Sequence, residues 1–164
     1  MSQAPVAGLV AMVSAMASKY WGLDPALAIA LGLGVGAACG FTNGVLAARF
    51  HLHPIVMTLA TSSVFLSLTY LLTTCQAVVG LLESFFWLGQ GQLGVLPVPV
   101  LVMVLVTLAM HLLLTRTFFG LRVLMIGGNF QAATDIGINV EGVRIGIFSI
   151  SGLLAALGGI VLLG

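Results

Sequence analysis

The chain is 164 residues long, 60% of them apolar and only 5% charged, with a formal net charge of +1 and a mean hydropathy of +1.24. Soluble domains carry roughly 25% charged residues, so this composition excludes a water-exposed globule and points to an all-α, polytopic transmembrane bundle. The near-neutral balance gives no basic surface for nucleic acid, and the length leaves no room for a separate soluble domain. The chain therefore reads as one transmembrane domain over residues 1–164.

Five apolar runs follow in order. Ala4–Ser18 has 15 residues, short for a full crossing, and no Lys or Arg precedes it, so no cleaved signal peptide is expected. Pro25–Ala48 has 24 residues, enough for about 36 Å of helix at 1.5 Å per residue. Pro54–Cys75 has 22, Leu96–Thr115 has 20 and Ile145–Leu163 has 19. Lipid offers the backbone no hydrogen bonds, so runs of this length are helices. The alternating ten-residue segments of a β-barrel do not occur.

The connections orient the runs. Arg49 lies in one link and Arg116, Arg122 and Arg144 in another, while the link Gln76–Val95 has no Lys or Arg. Placing the basic links in the cytoplasm leaves only Lys19 outside, as the positive-inside rule favours. The link Gln76–Val95 is apolar and aromatic, and an interfacial or re-entrant piece is expected there, with Phe85, Phe86 and Trp87 at headgroup level.

Within the second run, Gly32, Gly36, Gly40 and Gly44 recur every fourth residue. Such a stripe lets two helix backbones approach closely, so helix packing is expected along it. Thr42 and Asn43 add polar groups beside it. Asn43 reads either as an interhelical hydrogen-bonding group or as the border of a polar translocation path. In the third run, Thr58 and Ser62, with Thr61 beside them, share one face by helical spacing. Their hydroxyls either bond their own backbone or line a path suited to an uncharged, hydroxyl-rich solute. Apart from His111, no span carries an ionisable side chain. Proton- and cation-driven transporters need such groups at depth, so the energy for any transport is expected from outside the spans.

No metal site, cofactor site or catalytic set is legible. Cys39 and Cys75 lie in apolar runs and read as small buried hydrophobes. His51 and His53 lack further ligands nearby. The Gly32–Gly36 stretch lacks the Lys and Ser/Thr of a phosphate loop.

The polar exception is the segment 116–144, which holds three of the five basic residues. It reads as a short helix, a turn at Gly127–Gly128–Asn129, a second short helix over Phe130–Ile136, and a turn at Gly137–Ile138–Asn139. Asn129 is placed to cap the second helix. A short capped helix at the membrane surface suits a partner's groove, although an ordinary linker between spans has the same composition.

Gly120, Gly127–Gly128–Asn129, Ala132–Ala133 and Gly137–Ile138–Asn139–Val140 resemble the cytoplasmic motif of bacterial ABC-importer permeases of the ribose/xylose class. Gly40–Thr61, Trp87–Val100 and Ser151–Ile160 resemble further stretches of that family, in the same order. The resemblance implies a multi-pass subunit of the bacterial inner membrane that pairs with a second permease copy. It implies a periplasmic solute-binding protein that delivers sugar, and cytoplasmic ATP-binding subunits that drive the cycle. By the same resemblance Gly127, Gly128, Asn129, Phe130, Gln131, Ala132, Ala133 and Gly137 form the contact that couples the permease to the ATPase, and the chain itself is not an enzyme. Family members are substantially longer, so a fragment, a truncated product or one piece of a split permease is expected. The alternatives are a non-transporting fragment and a small oligomeric facilitator or channel assembled through the glycine stripe.

Overall fold

The computed structural model describes residues 2–20, 24–49, 54–73, 92–93 and 96–163. In chain order the elements are α1 (Gln3–Tyr20), α2 (Pro25–Arg49), α3 (Pro54–Thr73), β1 (Gln92–Leu93), β2 (Leu96–Pro97), α4 (Val98–Arg116), α5 (Phe118–Gly128), α6 (Phe130–Asp135) and α7 (Val140–Leu163). The two-residue strands pair antiparallel, Gln92 opposite Pro97 and Leu93 opposite Leu96. The expected interfacial piece with Phe85, Phe86 and Trp87 lies outside the described residues, as do His51, His53 and Cys75.

Among the described residues, four helices are long and apolar enough to cross a membrane: α2, the stretch Ile55–Leu72 of α3, α4 and α7. They coincide with four of the five apolar runs. α7 begins five residues before its run because Asn139 caps it: the side-chain Oδ1 accepts from Gly142 N at 2.9 Å, which fixes the first turn.

α1 covers the first apolar run, the one expected to be short for a full crossing. It has 18 residues, about 27 Å of helix, and lies at the centre of the bundle against α7, α2 and α3. Val6, Leu9, Val10, Ser14, Ala15, Ala17 and Ser18 are all buried. In lipid the hydrophobic effect does not distinguish a protein core from the acyl chains, so association rests on close van der Waals packing. Small residues permit that packing, and α1 is rich in them. Val6 and Val10 meet Ala156 and Ile160 of α7, with Leu33, Cys39 and Phe65 around them.

The most extensive helix pair is α2 with α7. Gly32, Gly36, Gly40 and Gly44 are all buried. A methyl group on Gly36 would lie 2.9 Å from the Gly152 carbonyl oxygen, and one on Gly44 would lie 2.8 Å from Ile145 Cα. Gly32 faces a different helix, α1, where a methyl would be 3.1 Å from Val10 Cγ1 and would also meet the Ser14 hydroxyl. The stripe thus serves two neighbours within the chain. α7 answers with small buried residues of its own, Gly152 and Ala156 toward α2 and Gly159 toward the Ala7 backbone of α1.

α4 stands apart from this centre, touching mainly β2 and α5. Its outward residues Met103, Leu105 and Leu108 are exposed, as are Val64 and Leu71 of α3. Those faces are mainly apolar, with the exposed hydroxyls Ser63, Ser67 and Thr107 bonded to their own helix backbones, and fit contact with acyl chains.

Candidate functional site: a polar chamber and a helical elbow

Two places on this frame gather the residues singled out from the sequence. The first lies where α1, α2, α3 and α7 meet. Asn43 is 3% exposed, and its Nδ2 donates to Ser2 Oγ at 3.2 Å. Gln3 Nε2 donates to Ser151 Oγ at 2.8 Å, joining the start of α1 to α7. With Thr58 and Gly152, these residues line a cavity of about 100 Å³. Six residues separate Asn43 from Arg49, so the chamber sits about 9 Å along α2 from its basic end.

Of the four residues expected on a polar path, the structure brings two together here, Asn43 and Thr58. Thr61 is buried, but its hydroxyl donates to Met57 O at 3.1 Å rather than to another helix. Ser62 is half-buried and donates to Leu59 O at 2.6 Å. Thr58 likewise donates to Ile55 O at 3.1 Å. The α3 hydroxyls therefore spend their protons on their own helix, as hydroxyls in an apolar medium commonly do, and offer only acceptor lone pairs outward. Sequence reasoning missed Ser2, Gln3 and Ser151. The signal available was weak: isolated polar residues at the start of α1 and in the middle of α7.

The second place is the elbow formed by α5, α6 and α7. Thr117 closes the sharp turn after α4, its Oγ1 accepting from Gly120 N at 3.2 Å. Gly120 packs directly against the Leu114 backbone there, an approach that a side chain would block. Gly127 and Gly128 lie within the last turn of α5 rather than in the turn expected from the sequence. Asn129 alone forms the joint. Its Oδ1 accepts from Ala132 N at 3.1 Å, and its own N–H donates to Met125 O at 3.0 Å. One residue thus ends α5 and starts α6.

α6 ends in a Schellman motif, with Ile138 N donating to Ala133 O at 3.1 Å and Gly137 N to Thr134 O at 2.9 Å. The motif requires a left-handed residue after the helix, and Gly137 supplies it at φ +83°. Within this elbow Ala133 is the one residue of the expected coupling set that turns inward, at 1% exposure. Gly127, Gly128, Asn129, Phe130, Gln131, Ala132 and Gly137 are exposed. Phe130 presents half its surface outward. Behind it runs a groove of about 320 Å³ lined by Ala48, Phe130, Thr134, Ile138, Glu141 and Arg144. Arg144 spans the groove's floor, its guanidinium donating to Ala47 O at 3.3 Å in the last turn of α2. That contact supplies a donor to one of the carbonyls left over at a helix C-terminus.

Among the described residues no group of His, Cys, Asp or Glu is placed to hold a metal ion. Tightly packed apolar helices of membrane-crossing length around a small neutral chamber define a multi-pass helical membrane protein.

The family described as "Branched-chain amino acid transport system / permease component" matches residues 1–163, and the chain belongs to it. It is 40% identical over 164 residues to the ribose import permease protein RbsC of Bacillus subtilis, covering 99% of this chain and 48% of that protein. It is 35% identical over 155 residues to the fructose import permease protein FrcC of Rhizobium meliloti, covering 88% of this chain and 42% of that protein. The D-allose transport system permease protein AlsC of Escherichia coli is 35% identical over 141 residues, covering 85% of this chain and 43% of that protein. The chain spans about half the length of the curated relatives it matches. No solved structure gave a significant match.

Proposed function

We infer that the chain forms membrane-spanning permease structure of an ATP-driven importer in the bacterial inner membrane, and that the solute is a monosaccharide. The observation that carries this reading is the alignment of nearly the whole chain with permeases named for ribose, fructose and D-allose. The family description names branched-chain amino acids, but the neutral chamber has no charged group to receive an amino acid's carboxylate or ammonium. Work is supplied from outside, by cytoplasmic ATP-binding subunits, and solute arrives from a periplasmic binding protein. A second permease copy completes the pathway.

The elbow is the energy-input contact in this reading. Coupling requires a small, rigid projection that a partner can push, and α6 is held at both ends by hydrogen bonds while Phe130 and Gln131 face outward. A partner of this kind grips an exposed aromatic in a groove. Asn43 and Thr58 are the path-lining candidates, Thr61 and Ser62 being committed to their own helix.

A second reading has the chain packing within a permease complex without transporting. The facilitator reading loses support, because the glycine stripe is already occupied by α1 and α7 of the same chain.

Cysteine at Phe130 or Gln131 should crosslink to the ATP-binding subunit in the assembled complex, while cysteine at Leu72 at the opposite end should not. Failure to capture that subunit from either elbow position would sink the coupling assignment. Uptake by the reconstituted complex, tested on ribose, fructose, allose and arabinose, then separates transport from mere packing.

A further inference from the structure

The chamber contains a buried polar atom with nothing to bond. Asn43 Oδ1 has no hydrogen-bond partner although the residue is 97% buried. Reversing the amide does not remove the problem. The Ser2 hydroxyl could then donate to the oxygen, but the NH₂ group would lose its acceptor. Either way one end of the amide requires a guest, because a buried polar group without a partner bears its full desolvation cost.

The surroundings specify the guest. Thr58 donates its proton to Ile55 O and keeps its hydroxyl lone pairs to accept, and Ser151 Oγ, which accepts one bond from Gln3, keeps a second lone pair. No acidic or basic side chain lines the cavity, so the guest is neutral. It must donate to Asn43 Oδ1 and donate again to a hydroxyl oxygen, which a molecule bearing O–H groups does. The volume of about 100 Å³ holds about three water molecules at roughly 30 Å³ each. Pockets for whole organic ligands run to roughly 300–1,000 Å³, so water rather than an entire sugar ring fits the space as it stands.

We propose that this chamber is a binding site for neutral O–H donors, occupied by a small cluster of water that bridges α1, α2, α3 and α7 through Asn43. Water-mediated bonds tolerate changes in length and direction. The four helices are therefore joined here by an adjustable contact, whereas the glycine crossing of α2 on α7, which forms one wall of the chamber at Gly40 and Gly152, is a close backbone contact. This assignment stands whether or not the chain carries sugar.

The test is water-edited solid-state NMR on the full chain in proteoliposomes, with asparagine and backbone nitrogens labelled. Magnetisation from water is expected to reach the Asn43 side-chain amide several-fold faster than the backbone amides of Val10 and Ala156. Thr58→Val keeps the volume and removes one acceptor, and should slow that transfer about two-fold. Asn43→Leu should bring transfer at the Ser151 backbone amide down to the rate at Ala156. If added ribose or fructose displaces the water signal and gives direct contacts to Asn43, the O–H site stands with a sugar hydroxyl as its guest. Transfer at Asn43 as slow as at Ala156, with no sugar contact either, would overturn the proposal.

Discussion

Placing a single methyl group on Gly40 tests how the centre of the bundle is held together. A Cβ there would lie 3.0 Å from both Gly152 Cα and Ser149 Cα, and would meet the Phe148 carbonyl oxygen. All three obstacles belong to the α7 backbone, so no side chain can rotate away and the helices must separate. Overpacking of this kind costs about 1–3 kcal/mol. Against it stands the helix-propensity gain of Gly→Ala, about 1 kcal/mol. Gly34 isolates that gain, because it lies on the same helix with nothing within 4 Å of its would-be Cβ. Gly34→Ala should be neutral or slightly stabilising. The difference between the two variants is then the packing penalty itself, and corresponds to a Tm gap of about 2–12 °C for a chain this size. Thermal unfolding in detergent, followed by circular dichroism, measures it. Gly36→Leu combined with Gly40→Leu should be more severe and block assembly. If Gly40→Ala melts at or above Gly34→Ala, the crossing is looser than the geometry requires and the argument from small residues fails.

Asn129→Ala removes the acceptor for Ala132 N and should weaken α6 by about 1 kcal/mol. Hydrogen exchange at Ala132 and Ala133 should then speed up about five-fold, while exchange in α7 stays unchanged; equal rates in both proteins would show that the cap is idle. Arg144→Met removes the donor to Ala47 O, with an expected loss of about 1 kcal/mol and a Tm fall of about 2–4 °C. Arg144→Lys should recover only part of it, because an ammonium lacks the fork of the guanidinium. Full recovery by Lys would argue for a charge effect instead of a directed hydrogen bond.

Spans and joints were legible in the sequence to different degrees. α2, α3, α4 and α7 follow from run length alone, because lipid permits few alternatives to a helix. Asn129 was legible as a cap because its chemistry is local. The position of α1 was not. Hydropathy asks only whether a residue avoids water, and in a membrane both the core and the lipid face do so. What marks α1 as central is small size, in Ser14, Ala15, Ala17 and Ser18, and size carries no periodic polar signal. The same reason hid the partner of the glycine stripe. Gly152, Ala156 and Gly159 repeat on α7 at helical spacing, and matching the two stripes would have paired the helices. The chamber was half visible: Asn43 and Thr58 stood out as polar residues in apolar runs, whereas Ser2 and Gln3 join them only through the placement of α1.

The way α7 is held gives it the properties of a beam clamped along its length. Its tight contact with α2 centres on Gly152, 12 residues from Val140 and 11 from Leu163. At 1.5 Å per residue the two arms are about 18 and 16 Å long. α6 is joined to the near end through a short connection whose hydrogen bonds fix its direction. The far arm is gripped as well, by α1: a methyl group on Gly159 would lie 3.0 Å from Ala7 Cα, and Ile160 is buried beside Val6 and Val10. A force applied at α6 would therefore be shared by α1, α2 and α7 as one unit, with no single helix free to tilt alone.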